Sequence, residues 1–224
     1  NYLEENFVST DDGEMQYIEN GEVVSHKGID VSKYQGNIDW PAVASDGVEY
    51  AFVRLGLRGY GSGKLVLDEY FDQNMRGAKD AGIKTGVYFF TQAITVEEAI
   101  EEADYVLENI TGYDVSYPIV FDVEMITNDD GRANDLSQKD RTDIAIAFCD
   151  RIKAAGYTPM IYGNVKCFTK LLDMTRLNDY EKWYAFYDDY MYMPYEVGIW
   201  QYTEKGKVAG INTGVDLNIS YKEY

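Results

Sequence analysis

The chain has 224 residues, of which 46% are hydrophobic and 15% aromatic, a composition that excludes a disordered protein and suits one large or two small globular domains. Its net charge of −19 argues against a nucleic-acid partner, because phosphate binding needs clustered Lys and Arg. No apolar run approaches the roughly 20 residues of a membrane span, and a single histidine, His26, disfavours histidine-based metal sites and triads.

Residues 1–25 are predicted to lie at the periphery of the protein. Residues 1–13 are acidic and show no periodicity, as in a linker. Residues 14–24 are typical of a β-hairpin, in which Asn20 and Gly21 can supply a type I′ turn. We expect an added edge ribbon, with a flap near a site as the alternative, and assign the segment no role.

From Gly28 onward, strand-like and helix-like segments alternate. Strands are predicted over residues 28–32, 50–55, 83–90, 118–124 and 158–162. Helices are predicted to begin at Asp39-Trp40-Pro41 and to span residues 68–81, 95–110, 137–155 and 165–172. A glycine-rich loop over residues 56–63 lacks the Lys-Ser/Thr of a phosphate cradle, and residues 128–134 are predicted to form a polar loop.

The last part of the chain follows a different pattern. Three strand-like runs, over residues 183–187, 197–202 and 214–218, are joined by loops with no helix between them. About five β-α units followed by three strands predict an irregular variant of the eight-stranded parallel α/β barrel, formed by residues 26–224. A doubly wound open sheet is the competing architecture, but its dinucleotide-binding fingerprint is absent.

The predicted strand over residues 118–124 carries two carboxylates at its C-terminal end. Side chains alternate along a strand, so Val120, Asp122 and Glu124 are expected to share one face. Like charges on a buried strand repel and raise one another's pKa, a cost that proteins tolerate mostly where the acids do chemistry. A structural salt-bridge network is the alternative.

Two more acids end neighbouring strands of such a barrel. Active sites of these barrels lie at the C-terminal strand ends, and the first and last strands are adjacent, so Asp30 and Asp216 are expected to lie close together. With Asp122 and Glu124 they would face one cleft. A Mg²⁺ or Ca²⁺ site is possible, but an acid pair for glycosidic cleavage explains the same residues with fewer additions, and we expect no metal or other cofactor.

Aromatic and polar residues near other strand ends favour a sugar ligand. Each aromatic residue alone is better explained by core packing, and only their clustering favours stacking on sugar rings. Arg54 is predicted to be an internal counter-charge for the acids or a substrate clamp, and Gln201 to hydrogen-bond a ligand or to be satisfied within the fold. The aromatic candidates for substrate binding are Tyr88, Phe90, Tyr162, Trp183 and Tyr187.

Taken in order, several motifs resemble those of the glycoside hydrolase family 25 lysozymes, the Chalaropsis-type muramidases. The likeness covers about residues 27–222. It implies an irregular barrel of five β/α units plus three strands, and cleavage of the β-1,4 bond after N-acetylmuramic acid in peptidoglycan. The motifs are Gly28-Ile29-Asp30-Val31-Ser32 with Gln35-Gly36 and Asp39-Trp40, Asp122-Val123-Glu124, Trp200-Gln201-Tyr202 and Val215-Asp216-Leu217-Asn218.

The resemblance also implies roles for the four acids. Glu124 would be the general acid, and Asp122 would stabilise positive charge or orient the N-acetyl group of the substrate. Asp30 and Asp216 would tune these acids and hold the sugar. Alternate strand residues lie about 6.6 Å apart at Cα, so retention and inversion both stay open; we favour net retention through the acetamido group.

Two alternatives to this enzyme are a non-catalytic module that binds wall sugars and a chitinase-like hydrolase of another barrel family. A metal-dependent deacetylase is disfavoured because histidine ligands are missing. We expect a monomer that acts on peptidoglycan glycan strands and is secreted or associated with the cell wall, with a signal or anchor upstream. Cys149 and Cys167 are expected to be small buried hydrophobes, although a disulfide between them stays open.

Overall fold

The computed structural model describes residues 2–127 and 129–224. Asn1 and Asn128, the first residues of the predicted linker and of the predicted polar loop, lie outside the described residues. A small N-terminal sheet contains three antiparallel strands, β1 (Phe7–Ser9), β2 (Met15–Glu19) and β3 (Glu22–Val23). Asn20 and Gly21 have φ values of 53° and 84° between β2 and β3, as the predicted type I′ turn requires.

A nine-stranded sheet follows, and eight of its strands close into a barrel. The first seven strands of the barrel run parallel, whereas the last strand is antiparallel to both of its neighbours. Closure excludes the doubly wound open sheet. The strands are β4 (His26–Val31), β5 (Tyr50–Arg58), β6 (Leu65–Leu67), β7 (Lys84–Phe90), β8 (Ile119–Asp122), β9 (Pro159–Asn164), β10 (Glu181–Ala185), β11 (Ile199–Gly206) and β12 (Val215–Ser220).

Four α-helices lie on the outside of the first five barrel strands. Three of them begin at a side-chain cap: Asp39, Thr95 and Ser137 each accept a hydrogen bond from a backbone N–H of the first turn. The helices are α1 (Trp40–Ser45), α2 (Phe71–Asp80), α3 (Val96–Asn109) and α4 (Gln138–Ala154). The irregular α/β barrel predicted from the alternation of elements is therefore confirmed.

Two local predictions were wrong, and one was refined. The loop expected over residues 56–63 begins later, because β5 passes through a bulge near Gly56 and continues to Arg58, pairing with the ninth strand, β6. The short helix expected over residues 165–172 is present, and most of it is a π-helical turn, Cys167–Leu171. The strand expected to reach Glu124 ends at Asp122, so Glu124 stands two residues beyond β8.

Alternation along the strands divides the core into two layers. Outward side chains such as Phe121 pack against the helices, with the Phe148 ring of α4 at 4.9 Å. Inward side chains fill the barrel with a separate cluster that includes Phe52, Val120 and Trp183. Gly28 is required here, because a Cβ atom at this position would lie 2.1 Å from the Tyr50 ring.

The N-terminal sheet covers the part of the barrel that has no helices. Residues 186–224 form no helix, so the outer faces of β11 and β12 need another cover. Phe7 of β1 supplies it, with its ring centroid 5.1 Å from Trp200 and 4.8 Å from Tyr17. The interpretation of residues 1–13 as a linker, and of the hairpin as an edge ribbon, was therefore wrong, because β1 completes a separate sheet that packs face-on.

Removing the Phe7 side chain should destabilise the protein. We expect Phe7→Ala to lower the free energy of unfolding by about 2 kcal/mol, less than for a fully buried Phe because Phe7 is half-buried. Val8 is 40% exposed on the opposite face of the same strand, so Val8→Ala should change the free energy of unfolding by no more than about 0.5 kcal/mol. Urea denaturation measures both, and equal losses would contradict a covering role.

Candidate active site

Four carboxyl groups meet at one end of the barrel, where the parallel strands have their C-terminal ends. Asp30 lies near the end of β4 and Asp122 ends β8, with Glu124 just beyond it. Asp216 lies near the start of β12. Because β12 is antiparallel to β4, its first residues reach the same rim, and Asp216 lies directly opposite Asp30 in the strand register. All four line a cleft of about 690 Å³.

Asp30 is buried and receives hydrogen bonds from two side-chain amides. Its Oδ2 atom accepts from Asn218 Nδ2 at 2.8 Å and from Gln201 Nε2 at 2.9 Å. Burial raises the pKa of Asp30, and the hydrogen bonds from Asn218, Gln201 and Asp216 oppose that rise. Asp30 is thus surrounded by donors, which favour its ionised form.

Asp216 is the proton-bearing partner of Asp30. Burial, followed by the negative charge of Asp30, raises the pKa of Asp216 to about 9. A pKa of about 9 favours the neutral carboxyl of Asp216 at pH 7, and the interaction of the two carboxyls raises the pKa of Asp216 while it opposes the rise at Asp30.

Asp122 and Glu124 form a second pair with a raised affinity for protons. Burial raises the pKa of Asp122 well above its ordinary value, and the charges of Glu124 and Asp30 raise it further. The pKa of Glu124 is also raised, first because the cleft walls remove water and then by the charge of Asp30, while a hydrogen bond with Asp122 opposes the rise. The raised pKa values favour a proton on this pair of acids, and Glu124 is the member exposed to the open cleft.

The amide of Gln201 is oriented by two tyrosines. Its Oε1 atom accepts from Tyr162 Oη at 2.8 Å and from Tyr187 Oη at 2.9 Å, which turns its NH₂ group toward Asp30. Tyr187 is 50% exposed and lies in the loop after β10, because that strand ends at Ala185 rather than at Tyr187 as expected. Gln201 itself is only 1% exposed, so the alternative of a residue satisfied within the fold describes its contacts.

Trp183 lies too deep to stack on a ligand ring. It is 1% exposed, and its ring stacks on Phe52 at 4.5 Å with Tyr162 edge-on at 4.6 Å. Its Nε1–H donates to Asn218 Oδ1 at 2.7 Å. The core-packing alternative therefore describes this residue, whereas the half-buried Tyr88 and Phe90 do line the cleft.

Arg54 lies in the cleft wall but pairs with an acid that sequence reasoning missed. Its guanidinium contacts Asp68 Oδ2 through Nε and Nη2, both at 2.7 Å, and its carbon lies 5.1 Å from the centre of the Tyr34 ring. Asp68 was read as the start of a helix, and in the structure it accepts from Tyr70 N just before α2. The positive charge of Arg54 still lowers the pKa of Asp122, so it acts on the acids at a distance.

Two exposed tyrosines on loops that line the cleft were also missed. Tyr34, 70% exposed, follows β4, and Tyr60, 42% exposed, follows β5. Both lie in loops that start at the C-terminal strand ends, and that position in a barrel, rather than any local pattern, is the signal that could have found them.

A buried ion-pair network holds the Tyr60 wall of the cleft against α3. Arg58 Nε donates to Glu102 Oε1 at 2.8 Å, and its Nη1 donates to the Gly63 carbonyl at 2.8 Å. Arg132 donates to Glu98 Oε1 at 2.8 Å, and its backbone N–H reaches the Tyr60 carbonyl at 3.2 Å. The loop after β5 and the segment after Glu124 are thereby fixed to the same helix.

The cysteines, the acidic clusters and the helices can be described over residues 2–127 and 129–224. Cys149 and Cys167 are free thiols, both buried. Within these ranges no group of three or more His, Cys, Asp or Glu residues could hold a metal ion. None of the helices described is both long and apolar enough to cross a membrane.

The chain forms a closed α/β barrel whose strand ends carry pairs of carboxyl groups, and these face an open cleft lined by tyrosines. This is the architecture of a glycoside hydrolase. Comparison with known proteins identifies the family. The model of glycosyl hydrolases family 25 matches residues 29–211, so the chain belongs to this family and is a glycosidase. Membership excludes the alternative of a chitinase-like hydrolase from another barrel family.

Relatives of known sequence or structure agree with this membership. The chain is 30% identical over 203 residues to the uncharacterized protein YegX of Escherichia coli K12, covering 86% of this chain and 68% of YegX. It is 27% identical over 199 residues to the autolytic lysozyme of Clostridium acetobutylicum, covering 86% of this chain and 55% of the lysozyme.

Two solved structures show the same fold. The modular autolysin LytC of Streptococcus pneumoniae, in complex with a synthetic peptidoglycan ligand, superposes with a TM-score of 0.79 at 28% identity, covering 96% of this chain. A family 25 glycosyl hydrolase of Bacillus anthracis superposes with a TM-score of 0.71 at 22% identity, covering 92% of this chain and 93% of the other. This chain spans 52% of the LytC chain, about half its length.

Breaking the buried ion pair behind the cleft wall should be costly. We expect Arg58→Met to lower the free energy of unfolding by about 3 kcal/mol, because Glu102 would be left buried without its partner. The matched control is Arg76→Met, whose solvent-exposed pair with Asp72 should contribute far less to the free energy of unfolding. Urea denaturation compares them.

The cost of Arg58→Met should also grow with pH. Burial raises the pKa of Glu102 from 4.5 to about 7, so ionising Glu102 costs the folded protein stability as pH rises through that window. Removing Arg58 raises this folded-state pKa further, so the variant keeps losing stability above pH 7 while the wild type does not. The loss of unfolding free energy in Arg58→Met relative to wild type should therefore be larger at pH 8 than at pH 5, and an equal loss at the two pH values would contradict the role given to Arg58.

Proposed function

We propose that this chain is a peptidoglycan hydrolase that cleaves the β-1,4 bond between N-acetylmuramic acid and N-acetylglucosamine. The observation that carries the proposal is the Asp122–Glu124 pair, which retains a proton and places one of its carboxyl groups in the open cleft. The name of the autolytic lysozyme and the peptidoglycan ligand of LytC support the choice of substrate.

Glu124 is assigned the delivery of the proton to the leaving oxygen. A general acid must hold a proton at the working pH and reach the scissile bond. Both acids of the pair have a raised pKa, but Asp122 is 4% exposed whereas Glu124 is exposed to the cleft. The shared proton is therefore donated to substrate from Glu124, and its transfer leaves negative charge near the sugar ring, where positive charge develops in the transition state.

Asp122 is assigned the orientation of the N-acetyl group of the substrate. Its Oδ1 atom is buried and has no hydrogen-bond partner among the residues described. When the shared proton is on Glu124, Asp122 is a carboxylate whose Oδ1 can accept the acetamido N–H. That hydrogen bond directs the acetamido oxygen toward the anomeric carbon, giving net retention without a protein nucleophile.

The remaining cleft residues suit a glycan chain. Tyr34 and Tyr60 line the cleft from the loops after β4 and β5, and Tyr88 and Phe90 line it as well, so aromatic side chains border the path along which sugar rings would lie. One copy of the chain contributes all of these groups, and the proposal requires no partner subunit. The substrate places its site of action in the cell wall.

Replacing the carboxyl of Glu124 should abolish most activity. We expect Glu124→Gln to lower the rate of peptidoglycan clearing at least about 10³-fold, because an amide cannot donate the proton. Glu97→Gln is the control, since Glu97 is exposed at the start of α3, away from the cleft. Turbidity loss of purified peptidoglycan measures the rates, and equal rates for Glu124→Gln and wild type would exclude the assignment.

The bond that is cut determines the new reducing end. Mass spectrometry of the reduced digestion products should find reducing-end N-acetylmuramic acid. Reducing-end N-acetylglucosamine would identify a glucosaminidase instead, and binding of muropeptides without any product would identify a wall-binding module.

A further inference from the structure

Asn218 and Trp183 occupy a place in the barrel that the proposed chemistry has not yet used. Asn218 lies on β12 and is fully buried. Its Oδ1 atom accepts the Nε1–H of Trp183 at 2.7 Å, and its Nδ2 atom donates to Asp30 Oδ2 at 2.8 Å. An indole N–H can only donate, so the Asn218 oxygen must face Trp183 and its NH₂ group must face Asp30.

Gln201 is oriented in the same way from the other side. With Tyr162 and Tyr187 as the donors to Oε1, its Nε2 atom points to Asp30 Oδ2 at 2.9 Å. Two N–H donors therefore converge on one oxygen of Asp30. A proton on Oδ2 would displace these donors, and a proton on Oδ1 would weaken both hydrogen bonds by removing the negative charge that they stabilise, so the carboxylate form is favoured.

We propose that Trp183 and Asn218 are positioning residues that, together with Gln201, favour the carboxylate form of Asp30, whose charge favours a proton on the Asp122–Glu124 pair. The proposal rests on the proposed function in one respect, the use of that proton in catalysis. Asn218 and Gln201 contact Asp30, and Trp183 contacts Asn218, so the effect of Trp183 reaches Asp30 through Asn218. None of the three hydrogen-bonds to Glu124 among the described residues, so the proposal gives them an effect on the reaction through Asp30.

The side chains around Asp30 are consistent with an uncompensated negative charge on its carboxylate. Of the two arginines on the neighbouring β5, Arg54 is paired with Asp68 and Arg58 with Glu102. The charge of Asp30 raises the pKa of both Asp122 and Glu124. The titratable and charged groups that face Asp30 from the neighbouring elements are Asp216, Asp122, Glu124, Arg54, Tyr50, Tyr88, Tyr162 and Tyr187.

The charge state of Asp30 can be measured in the wild-type protein. Carboxyl ¹³C NMR of selectively labelled protein should show Asp30 ionised and Asp216 protonated in the range around pH 7, since charge-assisted hydrogen bonds favour the ionised form of Asp30. A protonated Asp30 in this range would overturn the proposal. This measurement does not depend on activity.

Removal of the Asn218 amide should then change the pH dependence of the enzyme. In Asn218→Leu, Asp30 loses one charge-assisted donor and takes up a proton more readily, so the pair releases its proton more easily. The basic limb of the kcat/KM–pH profile should move to lower pH by about one unit. Trp183→Phe, which removes only the donor that orients Asn218, should shift the limb in the same direction by a smaller amount.

Asn74→Leu is the matched control. Asn74 is also fully buried but lies on α2, and its side-chain atoms have no hydrogen-bond partner among the described residues, so its replacement should leave the pH profile in place. A purely structural role for Asn218 and Trp183 would lower the rate at all pH values without moving the basic limb, and that result would overturn the proposal.

The two proposals fail in different ways. If Glu124→Gln kept full activity, the proposed function would fall, yet ¹³C titration of Glu124 could still show a lower pKa in Asn218→Leu than in wild type. If Glu124→Gln were inactive and that pKa were the same in both proteins, only the role of the Asn218 network would fall.

Discussion

The mutual repulsion of four carboxyl groups at one end of the barrel is the constraint on which the site depends. Asp30 and Asp122 are nearly without solvent, so ionising all four acids would place like charges in a medium that screens them poorly. The structure meets this constraint by giving each pair one proton, on Asp216 in one case and between Asp122 and Glu124 in the other. A raised proton affinity is also what an acid catalyst needs.

The irregular end of the barrel follows from the same requirement. An antiparallel last strand brings Asp216 to the rim formed by C-terminal strand ends and places Asn218 beside Asp30. The strands that build this end carry no helices, so their outer faces must be covered by something else. The N-terminal sheet does so through Phe7 and Tyr17, and in this way residues far from the cleft support the strands that carry its acids.

The sequence predicted much of this site because strand-end acids are visible in the chain. Asp30, Asp122 and Asp216 follow or begin short apolar runs, and the rule that barrels gather strand ends is sufficient to bring them together. The sequence was less informative about side-chain partners. Nothing local shows that Asp68 pairs with Arg54, because the two meet only when the segment before α2 returns to the barrel rim.

The order of strands, the barrel class and the acids themselves were determined by the sequence alone, since alternation and apolar periodicity act over a few residues. Only the tertiary structure decided which acid carries a proton, because a pKa depends on burial and on neighbours distant in the chain. The case of Asp30 shows this most clearly. Its donors, Gln201 and Asn218, lie 171 and 188 residues away in sequence, and only the closed barrel brings them within hydrogen-bonding distance.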